Sequence, residues 1–228
     1  MTIKISDKFC GPPNSGNGGY VCGLLDRHTS FLSEVTLRKP IPIEKSLSIS
    51  QQEDIFQLKD GETLIADARP GELVLVVPEP PSFDEATEAA KNYVGLHGRH
   101  AFPGCFVCGP DHDNGLYIFA GRHRDSAIYA SPWVPDEALA DAEGHVKTEF
   151  IWAALDCPGS FAIVKDEPQP IVLGRMTTEI MQPIKAKEKY VVTGWALENE
   201  GRKHFCGTAV FNEKKELCAA ARAIWFKI

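Results

Sequence analysis

At 228 residues the chain is long enough for one large domain or for two of roughly 110, and either buries a real core. A charged fraction of 24% beside a hydrophobic fraction of 43% belongs to a globular protein and excludes a disordered one. A formal net charge of -7 argues against nucleic acid as a partner, because phosphate backbones are held by clustered Lys and Arg. The dense basic run, Gly121-Arg122-His123-Arg124, is short, and Arg122 and Arg124 read as solvated loop charges.

The segment from Met1 to Lys8 has no apolar core of signal-peptide length, and no run approaches the roughly 18 apolar residues of a membrane span. The expectation is a cytoplasmic protein with no membrane contact. Seven cysteines in a reducing compartment are expected as buried thiols.

In chain order, Phe9-Cys10-Gly11-Pro12-Pro13-Asn14-Ser15-Gly16 is too rich in turn residues for helix and is expected as an ordered loop. Asn14 and Ser15 either cap the next helix or line a site. From Asn17 to Asp26, Tyr20, Val21, Leu24 and Leu25 fall on one helical stripe, which predicts a helix. Gly18 and Gly19 at its start leave N–H donors that no earlier turn satisfies, and such an end holds developing negative charge.

Extended segments follow. Glu34 to Ile43, with Pro40 and Pro42, is expected as a strand with an edge or bulge, and Leu47 to Ile49 and Ile55 to Leu58 alternate as strands do. Asp60-Gly61 predicts a hairpin into Thr63 to Arg69, and Leu73 to Val77 is expected to complete a helix-then-sheet unit. After Pro78, Pro80 and Pro81, an amphipathic helix is expected from Phe83 to Tyr93, capped by Ser82 or Asp84, as a connector.

The second half repeats this layout. Ile180-Met181-Gln182-Pro183-Ile184 mirrors Leu37-Arg38-Lys39-Pro40-Ile41, Leu217 to Arg222 mirrors Leu64 to Arg69, and Phe150 to Asp156 mirrors Tyr20 to Asp26. Three motifs in one order predict two copies of one unit. A helix on a curved antiparallel sheet buries one face of each, and two such units side by side close a pseudo-dimer.

The ten positions from Asn17 to Asp26 resemble the signature of PaaI-like and TesB-like acyl-CoA thioesterases of the hotdog fold. There, His-Gly-Gly or Tyr-Gly-Gly opens the central helix and an acid follows; Asn17 stands in place of the His or Tyr. Cys105-Phe106-Val107-Cys108-Gly109-Pro110 followed by Gly115-Leu116 is similar to the lead into the first strand of many PaaI-like enzymes. The resemblance implies an α+β double hotdog, with one unit in residues 1–95, including the connector helix, and a second in residues 96–228. Each would have a central helix wrapped by a curved antiparallel sheet.

The resemblance also implies hydrolysis of an acyl-CoA or acyl-carrier thioester at one composite site. Gly18 and Gly19 of the first unit would donate to the oxyanion, Asp156 of the second would act as base or orient water, and Thr177 would position that water. The second-unit positions aligned with the glycines are Thr148 and Glu149, so the reciprocal pairing with Asp26 is expected to be degenerate. Asn14, Asn17, Tyr20 and Trp152 are candidates for substrate binding, and Trp152 with Phe161 for an acyl tunnel. A homodimer pairing again through its sheets is compatible with this layout.

Departures from the pattern keep a second reading open. Ala221, Arg222 and Ala223 occupy the region where TesB-like enzymes carry a glutamine, as in a hotdog module that binds an acyl or aromatic ligand without chemistry. Neither helix carries the His that hotdog dehydratases need, and Cys157 has no His placed to activate it. Cys105 and Cys108, flanked by His100 and His112, have metal-ligand spacing, and a zinc-stabilised interaction domain is a third reading. A domain with strands enough to fold unaided needs no metal, so the expectation is a knuckle with no metal and no cofactor.

Overall fold

Two-residue alternation is the dominant pattern in the chain, and it builds one continuous sheet. The computed structural model describes residues 1–96, 98–165, 167 and 169–228. The first half contains strand β1 (Thr2–Lys4), helix α1 (Gly18–Asp26), and strands β2 (Ser33–Leu37), β3 (Ser46–Gln52), β4 (Ile55–Asp60) and β5 (Thr63–Pro70). Helix α2 (Phe83–Ala90) leads to β6 (Gly121–Arg122), β7 (Ile128–Trp133), α3 (Thr148–Ala154) and α4 (Cys157–Val164). Strands β8 (Ile171–Ile180), β9 (Tyr190–Glu200), β10 (Lys203–Asn212) and β11 (Leu217–Lys227) finish the chain.

The sheet is antiparallel throughout, in the order β1-β3-β4-β5-β2-β8-β11-β10-β9-β7-β6. The order of the second half is that of the first reversed, and the halves join at a seam where Glu34, Val35 and Thr36 of β2 face Thr177, Met176 and Arg175 of β8. The predicted hairpin at Asp60-Gly61 joins β4 to β5, with Gly61 at a φ of 56° that a side chain resists. Helix α2 starts at Ser82, whose hydroxyl accepts from the Glu85 N–H while Glu85 reaches back to the Ser82 N–H.

Helices α1 and α3 pack against one another under the seam. Gly19 and Gly23, one turn apart, make this approach possible: a Cβ on Gly23 would stand 2.6 Å from Glu149 Cα, and one on Gly19 would stand 2.7 Å from the Trp152 carbonyl oxygen. Val21, Leu25, Val35, Trp152, Leu155 and Met176, each no more than 1% exposed, form the centre of the core around this contact. The helical run of the second half breaks at Asp156 and resumes as α4, because Pro158 has no N–H to continue the ladder.

Two expectations are corrected. Leu73 to Val77 is not a strand. It crosses the outer face of the second half's sheet, where Leu73, Leu75 and Val77 pack against Trp195, Ala209, Phe211 and Ala220 while Val74 and Val76 are exposed. The alternation is real, but it reports a sheet face below the segment rather than a neighbouring strand. Gly115-Leu116 likewise begins an extended stretch outside any ladder, and the first long strand of the second half is β7.

Asp67 on β5 is buried between Arg38, at 2.5 Å, and Arg69, at 2.7 Å. Burial alone would raise its pKa, but the two guanidiniums outweigh it and hold the carboxyl below the ordinary value. A depressed folded-state pKa contributes stability above the unfolded value and loses it as pH falls through the folded one. Below pH about 4, melting temperature should therefore fall more steeply for the wild type than for Asp67→Asn, whose curve lacks this step. In a urea titration, Gly23→Ala should lower stability by about 2 kcal/mol with the slope unchanged, because the methyl group meets main chain that cannot move aside.

Candidate active site

The break between α3 and α4 places Asp156 beside the start of α1. Its Oδ2 accepts from the Gly19 N–H at 3.0 Å and from Asn17 Nδ2 at 3.0 Å, both contributed by the other half of the chain. Asn17 also caps α1, its Oδ1 accepting from the Tyr20 N–H at 2.9 Å, so Asn14 and Ser15 are not the cap. Asp156 is 2% exposed, and its Oδ1 is buried without a donor among the described residues. Burial pushes its pKa up to about 7, against the Gly19 and Asn17 hydrogen bonds, which favour the charged form.

Asp156 lies in the wall of a cavity of about 490 Å³. Leu37 at the end of β2, Ile41 beyond it, Ile171 and Leu173 of β8, and Trp225 and Phe226 of β11 make much of its lining apolar. Gly18 lines the same cavity, and its N–H opens α1, where no earlier turn accepts it. The Gly19 N–H is spent on Asp156, which leaves Gly18 as the other glycine of this helix start at the cavity wall. Phe161 of α4 lines the cavity as well.

Several sequence candidates lie elsewhere. Thr177 faces Arg222 and Glu34 across the ladders, on the outer face of the sheet, whereas Met176 and Ala223 face the core. A bulge at Gly174, the β8 residue left unpaired between the partners of Ile224 and Trp225, puts Leu173 and Met176, three residues apart, on one face. Trp152 is fully buried between the helices and does not line the cavity. Tyr20 stacks on Phe9, ring centroids 4.2 Å apart, beside Phe106 and Phe150, away from the cavity. Asn14 is exposed, with a φ of 59° at a turn, and is not part of the cavity wall.

At the place equivalent by the repeat, Glu149 is buried and paired with Arg27 at 2.9 Å, and Asp26 accepts from the Ser33 hydroxyl at 2.6 Å. Neither Glu149 nor Asp26 lines the cavity that Asp156 borders. Arg122 and Arg124 are also away from the cavity, Arg124 being paired with Glu85 at 2.5 Å. Two cations at the cavity wall were missed by sequence reasoning: Arg38, paired with Asp67, and Lys39, exposed in the turn after β2 and without an ion pair among the described residues.

The cysteine knuckle forms another part of the wall. Cys105, Cys108 and His100 line the cavity together with Cys157, the residue after Asp156. The neighbouring Cys108 and Cys157 thiols hold Cys105 well below its ordinary pKa, while burial drives Cys108 up. His112 does not take part: its Nε2 lies 2.8 Å from the Lys8 carbonyl oxygen.

A central helix wrapped by an antiparallel sheet, built twice and joined edge to edge, defines the chain as a double hotdog. Over its whole length it is similar to the TesB protein of Mycobacterium avium subspecies paratuberculosis, covering 92% of that chain with a TM-score of 0.64 at 10% identity. A thioesterase superfamily protein matches 54% of this chain and 60% of its own, with a TM-score of 0.49 at 15% identity. The E. coli PaaI protein matches 45% and 77%, with a TM-score of 0.41 at 11% identity. No protein-family model and no curated protein matches the chain. Among the described residues, no helix is long and apolar enough to cross a membrane.

Because Asn17 both caps α1 and holds Asp156, Asn17→Ala should cost about 1–2 kcal/mol in thermal unfolding. Asn17→Asp, which keeps a cap but sets a second carboxylate against Asp156, should be at least as destabilising at neutral pH.

Proposed function

We propose that the chain hydrolyses thioesters of an apolar acyl group carried on coenzyme A or an acyl carrier. The observation that carries this reading is Asp156, a buried carboxyl raised toward neutrality and held through one oxygen at the wall of an apolar cavity, beside the unspent N–H of a helix start. With Oδ2 fixed by Asn17 and Gly19, Oδ1 is the oxygen left to take a proton from water. That water attacks the thioester carbonyl carbon, and the Gly18 N–H and the positive end of α1 stabilise the oxyanion. As the carbonyl re-forms, the C–S bond breaks and the departing thiolate takes the proton back from Asp156. The apolar wall receives the acyl chain, and Lys39 at the rim suits a phosphate of the carrier group.

Thiol release from a panel of acyl-CoAs tests the assignment. Asp156→Asn and Asp156→Ala should lower kcat by about two orders of magnitude or more with KM little changed. A wild-type protein that binds acyl-CoA without releasing thiol would instead identify a binding module, and equal rates in wild type and variants would remove Asp156 from the chemistry. Lys39→Ala should raise KM several-fold for acyl-CoA and leave it unchanged for an acyl-pantetheine without phosphate.

A further inference from the structure

The cluster behind Asp156 has a geometry that thioester hydrolysis does not use. Cys105 and Cys108 come from the knuckle, Cys157 from the start of α4, and their three sulfurs lie within 4.8 Å of one another, all buried. Cys105 and Cys157 Sγ are 3.9 Å apart, and His100 Nε2 is 3.3 Å from Cys108 Sγ. Two sulfurs on one tetrahedral zinc, each about 2.3 Å from it, stand about 3.8 Å apart, and a nitrogen and a sulfur about 3.5 Å apart. The Cys105–Cys157 and His100–Cys108 separations match neighbouring ligands on one ion, whereas a disulfide between Cys105 and Cys157 would need its sulfurs roughly 2 Å apart. His100 stands outside the group that the three sulfurs form and has to swing inward to complete the set.

We propose that Cys105, Cys108 and Cys157 hold one zinc ion as thiolates, with His100 Nε2 at the fourth corner. The surroundings suit metal-bound thiolates: Asn17 Nδ2 is a donor 3.9 Å from Cys105 Sγ. His100 is wedged between the Tyr93 and Phe161 rings, and the Tyr93 hydroxyl donates to the Cys108 carbonyl at 2.8 Å. One contact has to yield. The Phe102 N–H donates to His100 Nδ1 at 2.8 Å, and ligation through Nε2 moves the ring proton to Nδ1, so that hydrogen bond opens as the metal binds. Binding releases the thiol protons to solvent and involves no change of oxidation state.

The ligands tie the loop at 100–108 to the residue that follows Asp156. Zinc therefore clamps the second half's helix break against the loop that packs on the first half, where the Phe106 N–H donates to the Cys10 carbonyl at 2.8 Å. The role is structural and is separate from the hydrolysis proposed above, so it is read from metal content rather than activity.

The full chain, purified without chelator, should carry about one equivalent of zinc by mass spectrometry, and titrating its thiols with a mercurial reagent should release that zinc in step with thiol loss. Cys157→Ser and Cys105→Ser should retain less than about a tenth of an equivalent. Cobalt exchanged into the wild type should give the intense visible bands of a tetrahedral site together with thiolate charge transfer, and His100→Ala should keep the charge transfer while shifting the visible bands. If the serine variants do not fold, the wild-type metal content and its release with thiol loss decide the matter. Wild-type protein with less than a tenth of an equivalent of zinc, a Cys105–Cys108 disulfide found under non-reducing digestion, or full zinc in folded Cys157→Ser would overturn the proposal.

Discussion

The contact between α1 and α3 governs the molecule. With no side chain at Gly19 or Gly23, two helix backbones meet where ordinary residues would hold them several ångströms further apart. That closeness brings a carboxylate of the second half to within 3.0 Å of an N–H of the first. A buried carboxylate is tolerated only where donors replace its hydration, and both donors here belong to the other half. The interaction that holds the halves together is therefore also the one that shapes the candidate catalytic group.

A repeated chain offers two such junctions, and the protein has treated them differently. At one, glycines and Asn17 meet Asp156 beside a cavity. At the other, Glu149 occupies the helix start and Arg27 neutralises it, while Asp26 turns to Ser33. The difference follows from a few side chains on a shared backbone plan: a carboxylate at the second helix start removes an oxyanion's reason to bind, and an arginine across the interface makes that carboxylate a structural group. The shared plan thus sets one junction at a cavity wall and buries the glutamate of the other.

Much of the architecture was legible in the sequence. The Gly-Gly helix start, the Asp-Gly hairpin and the paired proline motifs are local signals, and local signals survive folding. What could not be read depended on partners remote in the chain. Thr177 was placed by its spacing from Pro183, and the extra residue that bulges β8 at Gly174, which sets that strand's facing against β11, is not visible in that spacing. Trp152 and Tyr20 have the chemistry of pocket residues, but helix packing and a ring cluster take them up. His112 is nearer in sequence to the knuckle than Cys157 is, yet the topology brings Cys157 to the cluster and leaves His112 at the Lys8 carbonyl. The alternation in Leu73 to Val77 was correctly seen as extended chain, but its partner surface was not.

The same Leu73 to Val77 segment bears on how the halves were fused. It leaves β5 of the first half and lies across Trp195 and Phe211 of the second, which makes it a strap rather than a slack tether. Two chains that traded halves would each have to peel this strap from its seat and expose those aromatic residues to water before pairing anew. Self-closure avoids that cost, so the strap biases a newly made chain toward folding onto its own second copy instead of a neighbour's.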